Sequence, residues 1–195
     1  MAFNISNFRN AMEFDGQRPN LFEVSISNAA GDAFKGKSLE FFAKATSIPG
    51  ATIGQVIVPY FGREVKFAGN RTFAEWTLTV INDETFAIRG NMENWMNALN
   101  THETNVRNTG GSGSSSYVTN ATVKQFGKTG TGNITAQYQF KNIFPTDISE
   151  ITLDWGDNDT IEEFTVTFAY DFWTRTAVGA SGEFGEQAPG IGTVS

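Results

Sequence analysis

Apolar and polar residues alternate along most of this chain, and the alternation predicts strands. From Trp76 the side chains of Trp76, Leu78 and Val80 fall on one side, and Thr77 and Thr79 on the other. A two-residue period of this kind belongs to a strand with one buried face. The same period runs through Arg18 to Ser27, where Phe22, Val24 and Ile26 oppose Glu23, Ser25 and Ser27. It returns in Ile134, Ala136, Tyr138 and Phe140, in Ile151, Leu153 and Trp155, and in Phe164, Val166, Phe168, Tyr170 and Phe172. Leu39 to Thr46 adds a strand ended by Pro49-Gly50. Ser116–Phe126 and Asn133–Phe144 predict a hairpin joined by Gly127–Gly132. Turn-forming residues stand at Asn28–Gly31, Gly69-Asn70, Pro145–Asp147 and Gly156–Asp159.

Three stretches depart from that period. Thr85 to His102 repeats at helical steps through Phe86, Ile88, Met92, Trp95, Met96 and Leu99. Asp83 or Thr85 is placed to cap this helix, which is expected to close one end of a sheet sandwich. Residues 1–17 carry Ile5, Phe8, Ala11 and Met12 at helical spacing, with Ser6 as N-cap and Gly16 as stop. This short segment packs either on its own domain or on a neighbouring subunit. Residues 51–66 are apolar on both faces, through Val56, Ile57, Val58, Tyr60 and Phe61. A central strand satisfies that pattern, but Pro59 interrupts it. The preferred expectation is a hairpin or extended loop buried against another copy of the chain.

Composition sharpens the picture. Only 18% of the 195 residues are charged, while Gly (20) and Phe (18) are frequent, which favours strands and a surface covered by other copies or partners. The formal net charge of −7 argues against a groove that grips phosphates, yet fits a surface that nucleic acid passes without sticking. There is no cysteine, hence no disulfide or thiolate chemistry. No basic-then-apolar leader and no bilayer-length apolar run stands out, so neither a signal peptide nor a membrane anchor is expected. Residues 1–173 form one expected domain. Residues 174–195 form a glycine-rich extension whose composition is that of a disordered tail. It is expected to reach a neighbouring subunit or a surrounding protein.

Candidate chemistry is sparse. GKTGTG at Gly127–Gly132 lacks the glycine that a phosphate loop requires at position 122, which is Thr. Asp154, Asp157 and Asp159 fall short of a calcium loop, because Ile161 breaks the pattern, and they fit a turn better. His102 is the single histidine and has no readable nucleophile or metal partner set. Glu162–Glu163 and Asp83–Glu84 are carboxylate pairs with solvation as their default role. No enzyme activity, cofactor or metal is expected. The polar strand faces carry more information. Glu23, Thr77, Thr79, Gln137 and Glu163, with their Ser, Thr and Gln neighbours, form a low-charge surface. It is either the solvated face of an antiparallel sheet or the inner wall of a channel.

A family resemblance follows from RPNLFEVSIS (18–27), FFAKATSIPG (41–50), VKFAGNRTFAEWTLTVINDE (65–84), IFPTDISEITLDW (143–155) and IEEFTVTFAYDFW (161–173). In number and order these stretches resemble the tail tube proteins of contractile-tailed bacteriophages, over most of residues 8–173. Two departures are a longer loop at 109–116 and an extension after Trp173 without counterpart. The resemblance implies a mainly β fold: two antiparallel sheets in a sandwich or partial barrel, with one flanking helix. It implies homo-hexameric rings whose sheets join into one large barrel, and stacking of rings into a helical tube. The implied partners are the tail sheath, baseplate and tail-terminator proteins, with DNA passing down the lumen without sequence-specific binding. The implied place is the virion tail, assembled in the host cytoplasm. On this footing Val56, Ile57, Val58, Tyr60 and Phe61 are candidate inter-subunit contacts. Glu23, Thr77, Thr79, Gln137 and Glu163 are candidate lumen-facing residues. The tube subunit of a related bacteriocin or type VI secretion machine is the alternative, and a β-sandwich enzyme or sugar-binding module is a more distant one.

Overall fold

The computed structural model describes residues 5–12, 16–27, 42–106, 117–128, 133–178 and 184–186. Among them the elements are α1 (Ile5–Ala11), β1 (Phe22–Ile26), β2 (Ala43–Thr46), β3 (Ala51–Tyr60), β4 (Arg63–Phe73), β5 (Trp76–Ile81), α2 (Ala87–Leu99), β6 (Thr119–Phe126), β7 (Ile134–Ile148), β8 (Glu163–Ala169), β9 (Phe172–Val178) and β10 (Phe184–Glu186). The mainly β expectation holds, as does the placement of the long helix. The turn at 28–31, the loop at 109–116 and most of the extension after Trp173 lie outside the described residues.

Two antiparallel sheets form. Eight strands make one hydrogen-bonded network in the order β1-β6-β7-β8-β5-β2, with β9 and β10 branching from β7, and β3 and β4 pair only with each other. Strand β7 folds the larger sheet into two layers. Its first part pairs with β6 and β9, and from Phe144 it pairs with β8 instead. The change of partner falls beside Asn142, whose φ is +57°. Asn tolerates this left-handed backbone, and its amide donates to Asp171 Oδ2 at 2.5 Å. A corner of this kind lets one strand serve two sheets.

Between the layers lies an aromatic core. The Trp76 ring stacks on Phe140 at 4.7 Å and tilts against Phe168 at 5.1 Å. Leu78, Val80, Phe164, Val166, Val24 and Val123 fill the rest, all inward members of the alternating strands. Helix α2 adds Ile88, Met92 and Trp95 to the same cluster. A buried indole needs a partner for its N–H. Trp76 donates to Thr46 Oγ1 at 2.8 Å, and Trp95 to the Tyr117 carbonyl at 2.9 Å.

Several expectations change. Asp83 caps α2 from a distance: its carboxylate accepts the Ala87 N–H at 3.1 Å and the Thr85 hydroxyl at 2.6 Å, while Phe86 takes the left-handed capping conformation. Ser6 lies inside α1 and not before it, and α1 is exposed throughout. Pro145–Asp147 is not a turn. Pro145 stays in β7 opposite Phe168, with a bulge before Asp147 that absorbs the missing N–H. Ile151, Leu153 and Trp155 form no strand, and Leu153 and Trp155 are 78% and 102% exposed. Regular pairing runs past Trp173 to Val178, because β9 has β7 to pair with.

Gly69 and Asn70 sit within β4 and not at a turn. The ladder shifts register between Ile53 and Gln55, and there Gly69 packs on Gly54. A Cβ on Gly69 would lie 3.0 Å from the Gly54 carbonyl oxygen, a backbone atom with little room to give. Gly69→Ala should therefore loosen the β3–β4 ladder. Hydrogen exchange should quicken in residues 51–73, while protection in β5 and β8 stays unchanged.

Candidate functional site

The β3–β4 hairpin stands away from the core. All residues of β3 are exposed, and β4 is exposed apart from partial cover at Gly69 and Phe73. A two-residue turn, Phe61 (φ +46°) and Gly62 (φ +76°), closes its tip. Positive φ at both positions matches the twist of the flanking strands. Phe61 is 91% exposed and meets Tyr60 edge-on at 4.7 Å.

Register sorts the hairpin into two faces. Val56 pairs with Phe67, Val58 with Val65 and Tyr60 with Arg63, so these six share one face. Ile57 pairs with Lys66, Gln55 with Ala68 and Pro59 with Glu64 on the other. The expected hairpin is present, and its contact candidates divide. Val56, Val58 and Tyr60 lie together on an apolar face, Ile57 lies behind them, and Phe61 caps the tip.

The root of the hairpin is fixed to the body. Phe73 contacts the rings of Tyr170 and Trp173, each at 6.1 Å. The Tyr170 hydroxyl donates to the Ala74 carbonyl at 2.6 Å. Burial pushes the Tyr170 phenol up from its usual 10.0.

The candidate lumen residues occupy two opposite surfaces. On the outer face of the first layer Glu23 pairs with Lys124, Lys124 with Gln137 and Gln137 with Thr176, one polar row across β1, β6, β7 and β9. A second row runs Ser25, Thr122, Gln139, Thr174. Lys124 Nζ donates to Glu23 Oε1 at 2.6 Å, which leaves the first row nearly neutral. On the outer face of the second layer Thr77 pairs with Thr167 and Thr79 with Thr165, whose hydroxyls are 3.3 Å apart. Glu163 sits there with Lys44 as its ion-pair partner. One lumen cannot be lined by both faces of a sandwich, so Glu23 and Gln137 go together, and Thr77, Thr79 and Glu163 go together.

Sheet edges are the remaining feature. Among the described residues nothing pairs with the outer edge of β1 or of β2. Unpaired edges are templates for further strands. His102 is exposed, the Asp154 carboxylate accepts the Gly156 N–H at 2.8 Å as a turn should, and no cluster of three or more His, Cys, Asp or Glu able to hold a metal occurs among the described residues.

Known proteins are similar to this chain in sequence and in fold. The family model described as phage tail tube protein matches residues 6–176. The chain belongs to the phage tail tube protein family. Tail tube protein gp19 of Enterobacteria phage T4 is 34% identical over 159 residues, covering 82% of this chain and 91% of that one. The tail tube protein of Serratia phage KSP90 is 26% identical over 170 residues, covering 85% and 93%. The tail tube fold also recurs in solved structures of contractile injection systems. A chain of the anti-feeding prophage tube-terminating cap superposes with a TM-score of 0.59 at 16% identity, over 90% of this chain and 96% of that one. A chain of the extended sheath-tube complex of the extracellular contractile injection system PVC gives 0.55 at 17% identity, over 91% and 100%. The chain is thus homologous to a structural tail tube protein of a contractile-tailed phage.

Proposed function

We propose that this chain is the repeating subunit of a contractile tail's inner tube. Homo-hexameric rings close by pairing the open strand edges of neighbouring copies. Rings then stack through the β3–β4 hairpin, inside a sheath and between a baseplate and a terminator. DNA passes down the lumen into the host cell, the tube being assembled in the host cytoplasm and carried in the virion. The observation behind this reading is the exposed apolar hairpin on a subunit of tail tube descent. Val56, Val58, Tyr60, Val65 and Phe67 on one side of a two-stranded ladder are costly to leave in water and typical of a surface that another chain covers. A heterologous, non-closing contact of this kind builds an open filament. The phage reading is favoured over the tube of a related injection machine by the higher identity to the phage proteins. Negative-stain microscopy of the purified full chain tests it. Hollow tubes or rings are expected, and a monomer of 21.3 kDa at every concentration refutes the reading.

The outer face of the first layer is the proposed lumen wall. Its two polar rows, Glu23–Lys124–Gln137–Thr176 and Ser25–Thr122–Gln139–Thr174, each run unbroken across β1, β6, β7 and β9. Its only charges in the Glu23 row are paired, so a passing polyanion is neither gripped nor strongly opposed. The absence of native cysteine makes the test direct. In assembled tubes Gln139→Cys should resist a bulky maleimide reagent, and Thr79→Cys should react as it does in the free subunit. The reverse pattern would move the lumen to the other layer.

A further inference from the structure

We infer that the hairpin of one subunit docks on the acidic loop 149–162 of a second copy in the next ring; this rests on the stacking role proposed above and names its partner surface. The loop exposes three large apolar side chains. Leu153 is 78%, Trp155 102% and Ile161 70% exposed, with no strand or helix over them among the described residues. Tryptophan is among the residues enriched at the energetic centres of interfaces.

Charge selects the occupant. The loop contains Glu150, Asp154, Asp157, Asp159 and Glu162 and no Lys or Arg. The hairpin contains Arg63, Lys66 and Arg71 against Glu64 alone, in a chain whose net charge is −7. Arg63 lies on the apolar face with Val56, Val58 and Tyr60, next to the tip. Among the described residues these three cations make no ion pair. Each surface therefore offers apolar area bordered by charge, and the two signs are opposite.

Topology places the two surfaces at opposite ends of the body. The hairpin leaves the second layer where Trp76 pairs with Phe168 and Tyr170 holds Ala74. The loop is anchored at the far end of the same strands. There Asn82 N–H donates to Glu162 O at 2.8 Å, while the start of the loop is held at mid-strand, where Ser149 N–H donates to Thr165 O at 2.8 Å. The six residues of β5 separate the anchors by about 20 Å, at the ordinary rise of a strand. A subunit thus presents a cationic knob at one end and an anionic seat at the other, the arrangement that propagates head to tail.

The test uses the full chain, with growth followed by light scattering and electron microscopy. Asp157→Lys with Asp159→Lys should raise the critical concentration for tube growth at least about tenfold, and Arg63→Glu with Lys66→Glu should do the same, since like charges then face one another. A chain carrying all four substitutions should grow near the wild-type concentration, because complementarity is restored. Trp155→Ser should also impair growth. All are exposed positions, so melting temperatures serve as the control for folding. Impairment by the hairpin pair but not the loop pair overturns this docking while leaving hairpin stacking intact. Impairment by both without rescue in the combined chain, or by the loop pair alone, also overturns it. Growth unaffected by any variant removes the stacking role itself.

Discussion

Val58→Asp should abolish tube growth while leaving the subunit folded. Val58 lies in the middle of the hairpin's apolar face, between the Val56–Phe67 and Tyr60–Arg63 pairs, and directly opposite Val65. In the free subunit it is 44% exposed, so a carboxylate there stays solvated and costs the fold little. In a stacked ring the same carboxylate would be buried against apolar surface with no guaranteed partner, a penalty of several kcal/mol per contact. Every copy in the ring repeats that penalty. Ile57→Asp places the charge on the opposite face beside Lys66, and its effect should be clearly smaller. Sedimentation of assembled tubes measures the first part, and thermal melting of the dilute subunit measures the second. Equal impairment by the two substitutions would mean that both faces are covered and that the hairpin is clasped from two sides.

Trp76→Ala should have the largest effect on folding itself. The side chain is fully buried, stacked on Phe140 and tilted on Phe168, and so joins the first layer to the second. Its loss removes a large apolar area and leaves a cavity that rings on three strands cannot easily fill. The expected cost is about 3–5 kcal/mol. Thr46 Oγ1 also loses the indole donor that ties β2 to β5. Urea denaturation of the dilute subunit would show the midpoint falling, with the same slope if the transition remains two-state. Trp155→Ala provides the contrast. It deletes an equally large but wholly exposed ring, and stability should change by no more than about 0.5 kcal/mol.

Those two tryptophans also show what a sequence can and cannot disclose. Both sit in alternating patterns, and periodicity alone assigns both to half-buried strands. Trp76 has β2 and β8 as neighbours in the ladder. Trp155 has none among the described residues, and Leu153 beside it remains in solvent. Pairing partners decide burial, and they are remote in sequence. The same holds for Gly69-Asn70, whose turn chemistry is overruled by the nine-pair ladder that β4 makes with β3. Helix α2 was legible because its period and its capping carboxylate are local. The hairpin at 51–73 was legible through Pro59 and its two-sided apolar pattern, but its division into faces needed the register. The grouping of Glu23 with Gln137, apart from Thr79 and Glu163, likewise depends on which strands neighbour which. Asn142, the corner residue, carries no pattern at all; only its backbone angle and its change of partner reveal it.

The corner in β7 has a mechanical consequence. The layers of many sandwiches are held by side-chain contacts alone and can shear when pushed lengthwise. Here an unbroken length of main chain belongs to both, so sliding one against the other would require bending or stretching covalent backbone. A hollow rod made of such units would meet axial compression as a set of stiff blocks, and its compliance would reside in the joints between copies.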